Sequence, residues 1–164
     1  MINTFSYDTD YGKITISEEN EHIIELKLGY SDFDNAKLNI KESDVIKKAY
    51  EQLKEYFNGQ RTSFDLPLNP KGTEFQKKVW NALLDIPYGY TCSYKEIAVR
   101  IGNEKACRAV GSANNKNPIF IIIPCHRVIG KNGSLVGYGG GLHIKQKLLE
   151  LEQNNIKKRA KPFI

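Results

Sequence analysis

The chain has 164 residues, of which 40% are hydrophobic and 26% charged, a composition that suits one globular domain or two small ones and excludes a disordered chain. It carries a net charge of +5, compatible with a polyanionic partner without requiring one. No apolar run approaches the roughly 20 residues of a membrane-crossing helix, and the first residues lack the basic start and apolar stretch of a signal peptide; a soluble, cytoplasmic protein is expected.

Residues 1 to about 42 read as short strands. Tyr11 to Ser17 and Ile23 to Leu28 alternate imperfectly, with turn material between them, and a small sheet follows. From Ser43 to Phe57 the residues Val45, Ile46, Ala49, Leu53 and Phe57 recur at helical spacing, with Ser43 as the cap and Gly59 beyond the end. Asp65 to Thr73 collects prolines and a glycine and marks a domain junction, giving domains 1–70 and 71–164.

Beyond the junction, Thr73 to Leu84 places Phe75, Val79, Trp80, Leu83 and Leu84 on one helical face, with Thr73 and Gln76 forming a capping-box pair. Ser93 to Ile101 and Glu104 to Ala113 are two short helical patterns joined by Gly102-Asn103, the outline of a helix-turn-helix. Ile119 to Ile123 is an apolar run of the kind that forms a buried strand. A last helix spans Leu142 to Glu152 with Leu142, Ile144, Leu148, Leu149 and Leu151 as its apolar positions, and the basic run Lys157-Lys158-Arg159-Ala160-Lys161 follows. Carboxylates are frequent up to about Asp44, so the excess positive charge lies toward the C-terminus.

Cysteines at 92, 107 and 125 are odd in number and show no C-x-x-C spacing, and the three histidines form no ligand pattern with them. Neither a disulfide framework nor a metal is expected. Cys92 and Cys107 read as small packing residues. Cys125 differs. It follows Pro124, which carries the chain out of the apolar run, and it precedes His126 and Arg127. An imidazole and a guanidinium beside a thiol favour the reactive thiolate, and His126 can act as base through one bridging water. Such a histidine needs an acid to orient it, and Glu150 and Glu152 are the carboxylates near in sequence; composition leaves both open.

Pro124-Cys125-His126-Arg127-Val128 resembles the active-site signature of the O6-alkylguanine-DNA alkyltransferases, also called methylated-DNA–protein-cysteine methyltransferases. Ser93-Tyr94-Lys95-Glu96-Ile97-Ala98, Arg108-Ala109-Val110-Gly111, Asn117-Pro118, Gly137-Tyr138 and Leu148-Leu149-Glu150-Leu151-Glu152 match in the same order, so the resemblance covers about residues 73 to 155. It implies an α+β fold: a small ribonuclease H-like domain, then a mostly helical domain with the helix-turn-helix and the active-site cysteine. It implies a suicidal transfer of the alkyl group from O6-alkylguanine in double-stranded DNA to Cys125, with O4-alkylthymine a further candidate substrate. No cofactor is implied, and a monomer is expected.

By the same resemblance His126 takes the thiol proton, Glu152 orients His126, and Tyr94 donates to N3 of the departing guanine. Val128 and Cys125 read the base through their carbonyls, Tyr138 and Gly139 line the pocket, and the amide of Asn117 is a hinge tying the recognition helix to the active-site turn. Ser93, Arg108 and Asn114 fall at the DNA surface, Arg108 filling the stack vacated by the flipped nucleotide. Asn114 is small and polar where the human-type enzymes carry a larger apolar residue. The N-terminal domain lacks the cysteines that bind zinc in some members. The alternative reading is a non-catalytic helix-turn-helix or lesion-recognition protein; relatives of that kind replace the nucleophile, whereas Cys125 is present. A cysteine hydrolase fits less well, because adjacent Cys and His do not match a papain-type order.

Overall fold

The computed structural model describes residues 1–133, 138 and 141–160. They form two units: residues 1–72 together with 117–122, and residues 73–116 together with the chain from 123. The segment 117–122 therefore returns to the first unit, which a single cut near residue 70 does not anticipate.

In the first unit, strands β1 (Ile2–Thr9), β2 (Gly12–Glu19), β3 (His22–Leu28) and β4 (Leu38–Ile40) form one sheet in the order β3-β2-β1-β4. β1, β2 and β3 are antiparallel neighbours, and β4 runs parallel to β1. Phe5 and Tyr7 stand opposite Ile16 and Ile14, so the period of two puts them on one face. Helix α1 (Asp44–Phe57) packs there; Tyr50 stacks on Tyr7 at 3.6 Å, and Ile46, Ala49 and Leu53 are fully buried. The opposite face carries a hydroxyl ladder, Thr4 with Ser17 and Ser6 with Thr15. Ser43 is the N-cap of α1, although its hydroxyl makes no capping bond.

The run Ile119 to Ile123, expected as a strand, is not one. Ile119 makes a single parallel bridge to Leu26, through Leu26 N to Pro118 O and Phe120 N to Leu26 O. The chain then turns back on itself, the amide of Ile122 donating to Phe120 O at 2.7 Å around Ile121, whose φ is +70°. A second three-residue turn follows, Cys125 N to Ile123 O around Pro124. A positive φ at a β-branched residue stores strain, and periodicity carries no sign of it.

In the second unit, α2 (Glu74–Leu84) begins with the expected capping box of Thr73 and Gln76. The short strand β5 (Cys92–Ser93) leads into α3 (Tyr94–Arg100), whose own capping box pairs Ser93 with Glu96. Helix α4 (Cys107–Asn115) starts later than expected: Glu104 to Ala106 form a turn, and Ala106 at the N-cap has no side chain to accept a capping bond. Trp80 donates from Nε1 to the carbonyl of Ala113 at 2.9 Å and so ties α2 to the last turn of α4. Strand β6 (Val128–Ile129) pairs in parallel with β5. Helix α5 (Leu142–Ala160) is longer than expected, continuing past Glu152, so that Lys157, Lys158 and Arg159 form a basic last turn where cations complement the helix dipole. Lys161 lies outside the described residues.

Candidate active site

Cys125, His126 and Arg127 form a single 3-10 turn, all three buried. Two features hold it. Pairing of Val128 with Cys92 and of Ile129 with Ser93 sets the turn beside the start of α3. On the other side lies α5, whose inner stripe is Lys145, Leu148 and Glu152, each 0% exposed. These positions recur at helical spacing, but two of the three are charged. The expected apolar set misplaces the inner face, since Leu142 is 48% exposed.

Glu152 accepts hydrogen bonds from His126, Arg127 and the backbone of Gly89. His126 Nε2 lies 2.6 Å from its Oε2, Arg127 Nη2 donates to Oε2 at 3.1 Å, and Arg127 Nε and the amide of Gly89 donate to Oε1 at 2.8 and 3.0 Å. Burial alone would raise the carboxyl, but the hydrogen bond and charge of His126 once it is protonated at low pH, and then those of Arg127, outweigh it and hold the pKa at about 2. Glu150, the other carboxylate open from the sequence, is exposed and accepts from Gln146.

Burial pushes the His126 imidazole below its usual value, against the opposing pull of Glu152, so the ring is neutral at pH 7. A neutral ring facing an ionised carboxylate must carry its hydrogen on Nε2. Nδ1 is then the basic atom, buried and without a hydrogen-bond partner among the described residues. The dyad therefore presents a proton acceptor in the same turn as a 2% exposed thiol.

The hydrogen bonds of Arg127, the guanidinium expected beside the thiol, go elsewhere. Its guanidinium is committed to Glu152 and to the carbonyl of Ile86 at 2.7 Å, and lies 5.6 Å from the Tyr88 ring centroid. A cation that bears on Cys125 is Lys145, which the sequence reading missed: it interacts electrostatically with Cys125 and donates to Val128 O at 2.6 Å. Its ammonium is lowered by burial and raised again by Cys125. A lysine within a leucine-rich helix pattern reads as solvated, and only the packing of α5 places it inside.

Gly89 was also missed as a site residue. It adopts φ +80°, and a Cβ there would lie 1.9 Å from Ile156 Cδ1; the lack of a side chain lets its amide reach Glu152.

Tyr94 and Tyr138 both interact electrostatically with Cys125. Burial, with Cys125 adding to it, raises both phenols, so both stay protonated donors at neutral pH. Gly111 lies against the Tyr94 ring, where a Cβ would make ordinary contact at 3.8 Å. Gly137 and Gly139, the neighbours of Tyr138, lie outside the described residues.

Helix α4 turns Val110, Ala113 and Asn114 inward and leaves Arg108, Ser112 and Asn115 exposed. Arg108 therefore stands on the outer face. Asn114, expected at the DNA surface, requires correction: it is 1% exposed, and its Nδ2 donates to the carbonyl of Cys125 at 3.3 Å. The reason is helical period, which places 114 on the inner stripe with 110. This bond ties the recognition helix to the active-site turn, the part expected of Asn117. Asn117 lies in the first unit, where its Oδ1 accepts from the amide of Ile119. Ser93 is half-buried, and its hydroxyl accepts from Glu96 N as the cap of α3.

The family model for the DNA-binding domain of 6-O-methylguanine DNA methyltransferase matches residues 74–154, and that for its ribonuclease-like domain matches residues 4–70. The chain belongs to this family. A methylated-DNA–protein-cysteine methyltransferase of Methanosarcina barkeri is 59% identical over 118 residues, 72% of this chain and 75% of that one. The constitutive methyltransferase of Bacillus subtilis is 46% identical over 93% of this chain and 96% of its own. A Mycobacterium tuberculosis OGT solved in complex with DNA superposes with a TM-score of 0.87 at 44% identity, covering 93% of this chain and 94% of that one. The methyltransferase fold thus accounts for both units, the sheet unit as the ribonuclease-like domain and the helical unit as the DNA-binding domain. Among the described residues no helix is long and apolar enough to cross a membrane.

Proposed function

We propose that this methyltransferase repairs O6-alkylguanine in double-stranded DNA by moving the alkyl group to Cys125, once per molecule. The observation that carries the reading is the neutral His126, its Nε2 committed to an ionised Glu152, in the same turn as a buried thiol. The thiol proton passes to His126 Nδ1 through a bridging water. The sulfur attacks the alkyl carbon, the carbon–O6 bond breaks, and its electron pair moves into the guanine ring. Tyr94 donates to N3 and offsets that charge; Lys145 favours the thiolate before attack. The base regains from His126, through water, the proton that left the thiol, so the products are S-alkylcysteine and guanine, and no group among the described residues restores the thiol.

A base inside a duplex cannot meet a buried thiol, so the nucleotide flips out at a cost of a few kcal/mol. Arg108 on the exposed face of α4 fills the gap. Val128 and Cys125 hold the base through their carbonyls, with Tyr138 as a wall. Binding is through the minor groove, mostly to the backbone, with little reading of sequence. A monomer and a cytoplasmic location go with this reading.

The test is mass spectrometry after incubation with an oligonucleotide carrying one O6-methylguanine, followed by peptide mapping. One methyl on Cys125, saturating at one per molecule, is the expected result. An unmodified protein that still binds the lesion would make it a damage-recognition module instead.

A further inference from the structure

Asn114 presents a problem that the alkyl-transfer reading does not solve. Its Nδ2 faces the carbonyl of Cys125, and because a carbonyl only accepts, the nitrogen must be on that side and the oxygen on the other. That Oδ1 is buried and has no hydrogen-bond partner among the described residues. An unpaired buried acceptor destabilises the fold, because it gives up its bond to water and gains none in return. A leucine of similar shape would avoid the cost and forfeit only one bond of 3.3 Å. The asparagine is accounted for if its oxygen gains a partner when substrate enters.

The partner must be a donor, must come close to the Cys125 carbonyl, and must be absent from the free protein. Oδ1 is one amide width from a nitrogen that already contacts that carbonyl. Alkylation at O6 removes the hydrogen from N1 of guanine, and N9 carries the sugar, so the 2-amino group is the only N–H donor left on the base. In the proposed function this amino group meets the carbonyls of Cys125 and Val128. Each already accepts a bond, from Asn114 Nδ2 and Lys145 Nζ, which fixes the carbonyls in place.

Resting on the alkyl-transfer reading, we propose that Asn114 is a specificity-determining residue: its Oδ1 accepts a hydrogen bond from the 2-amino group of O6-alkylguanine while its Nδ2 holds the carbonyl of Cys125. The same side chain joins helix α4, which presents Arg108, to the turn that carries the nucleophile. Recognition of the base and docking of the helix therefore meet at one amide.

Single-turnover transfer to Cys125 is measured from duplexes carrying O6-methylguanine or O6-methylhypoxanthine, which lacks the amino group, with the wild-type protein and Asn114→Leu. The wild type reacts more slowly with the hypoxanthine lesion. Asn114→Leu slows transfer from the guanine lesion by about tenfold and changes the hypoxanthine rate much less, so the preference narrows. Equal slowing on both lesions would reduce Asn114 to a structural tie and overturn the proposal. A wild type without preference for guanine overturns it with no variant needed, should Asn114→Leu not fold. Failure of the wild type to take any methyl from O6-methylguanine is a separate result, and it removes the alkyl-transfer reading itself.

Discussion

Replacing Glu152 by Gln removes the charge on which the site is organised, and the structure sets the size of the effect. The carboxyl is held at about 2 against an ordinary 4.5, which is on the order of 3–4 kcal/mol favouring the ionised form in the folded state. Breaking a buried ion pair by removing one partner costs a similar ~3–5 kcal/mol, here by stranding the Arg127 guanidinium. Because the folded value lies below the unfolded one, this stability is fully present above about pH 4.5 and is lost as pH falls toward about 2. His126, also depressed, destabilises both proteins as pH falls below its unfolded value near 6.5, and the variant more, since it lacks the Glu152 charge that pulls the ring up. Urea unfolding of both proteins across pH 7 to 3 measures the difference. It should be about 3–4 kcal/mol at pH 7 and shrink as the wild-type carboxyl takes up its proton. A gap under ~1 kcal/mol, typical of an exposed pair, or one that does not change with pH, would refute the account of Glu152 as a buried, clamped carboxylate.

Gly89→Ala forces a side chain into φ +80° and against Ile156; it should cost about 1–2 kcal/mol from backbone strain alone, seen in the unfolding midpoint, and slow transfer by displacing a donor from Glu152. Arg108→Ala should slow transfer from duplex DNA more than from the free O6-alkylguanine base, since only the duplex requires flipping; equal losses would count against a role in the vacated stack. Tyr94→Phe should lower the transfer rate by about 100-fold while leaving lesion binding nearly intact, as for removal of one donor at a developing charge, and a rate within twofold of wild type would exclude Tyr94 as that donor. Cys125→Ala should abolish transfer and retain binding to alkylated duplex, with affinity falling as salt rises because phosphate contacts release counterions; a salt-independent affinity contradicts the binding mode.

What could be read in advance depended on the range of the interaction. The capping boxes Thr73 with Gln76 and Ser93 with Glu96 involve residues three apart, so the starts of α2 and α3 were visible in the sequence. The start of α4, where Ala106 supplies no cap, was not. The run from Ile119 to Ile123 has the apolar pattern of a buried strand, yet a positive φ at Ile121 turns it within the segment 117–122 that belongs to the sheet unit.

The sequence by itself determined the chemistry available: a cysteine next to a histidine, set in an ordered series of short motifs. Which groups converge on that pair was decided only by tertiary structure. Lys145 as a cation bearing on the thiol, Gly89 as a backbone donor and Asn114 as an inward amide all follow from how helices α4 and α5 are turned toward the Cys125 turn. A helix one residue out of phase rotates each side chain by about 100°, so the choice between neighbouring candidates is set by packing that acts across the fold.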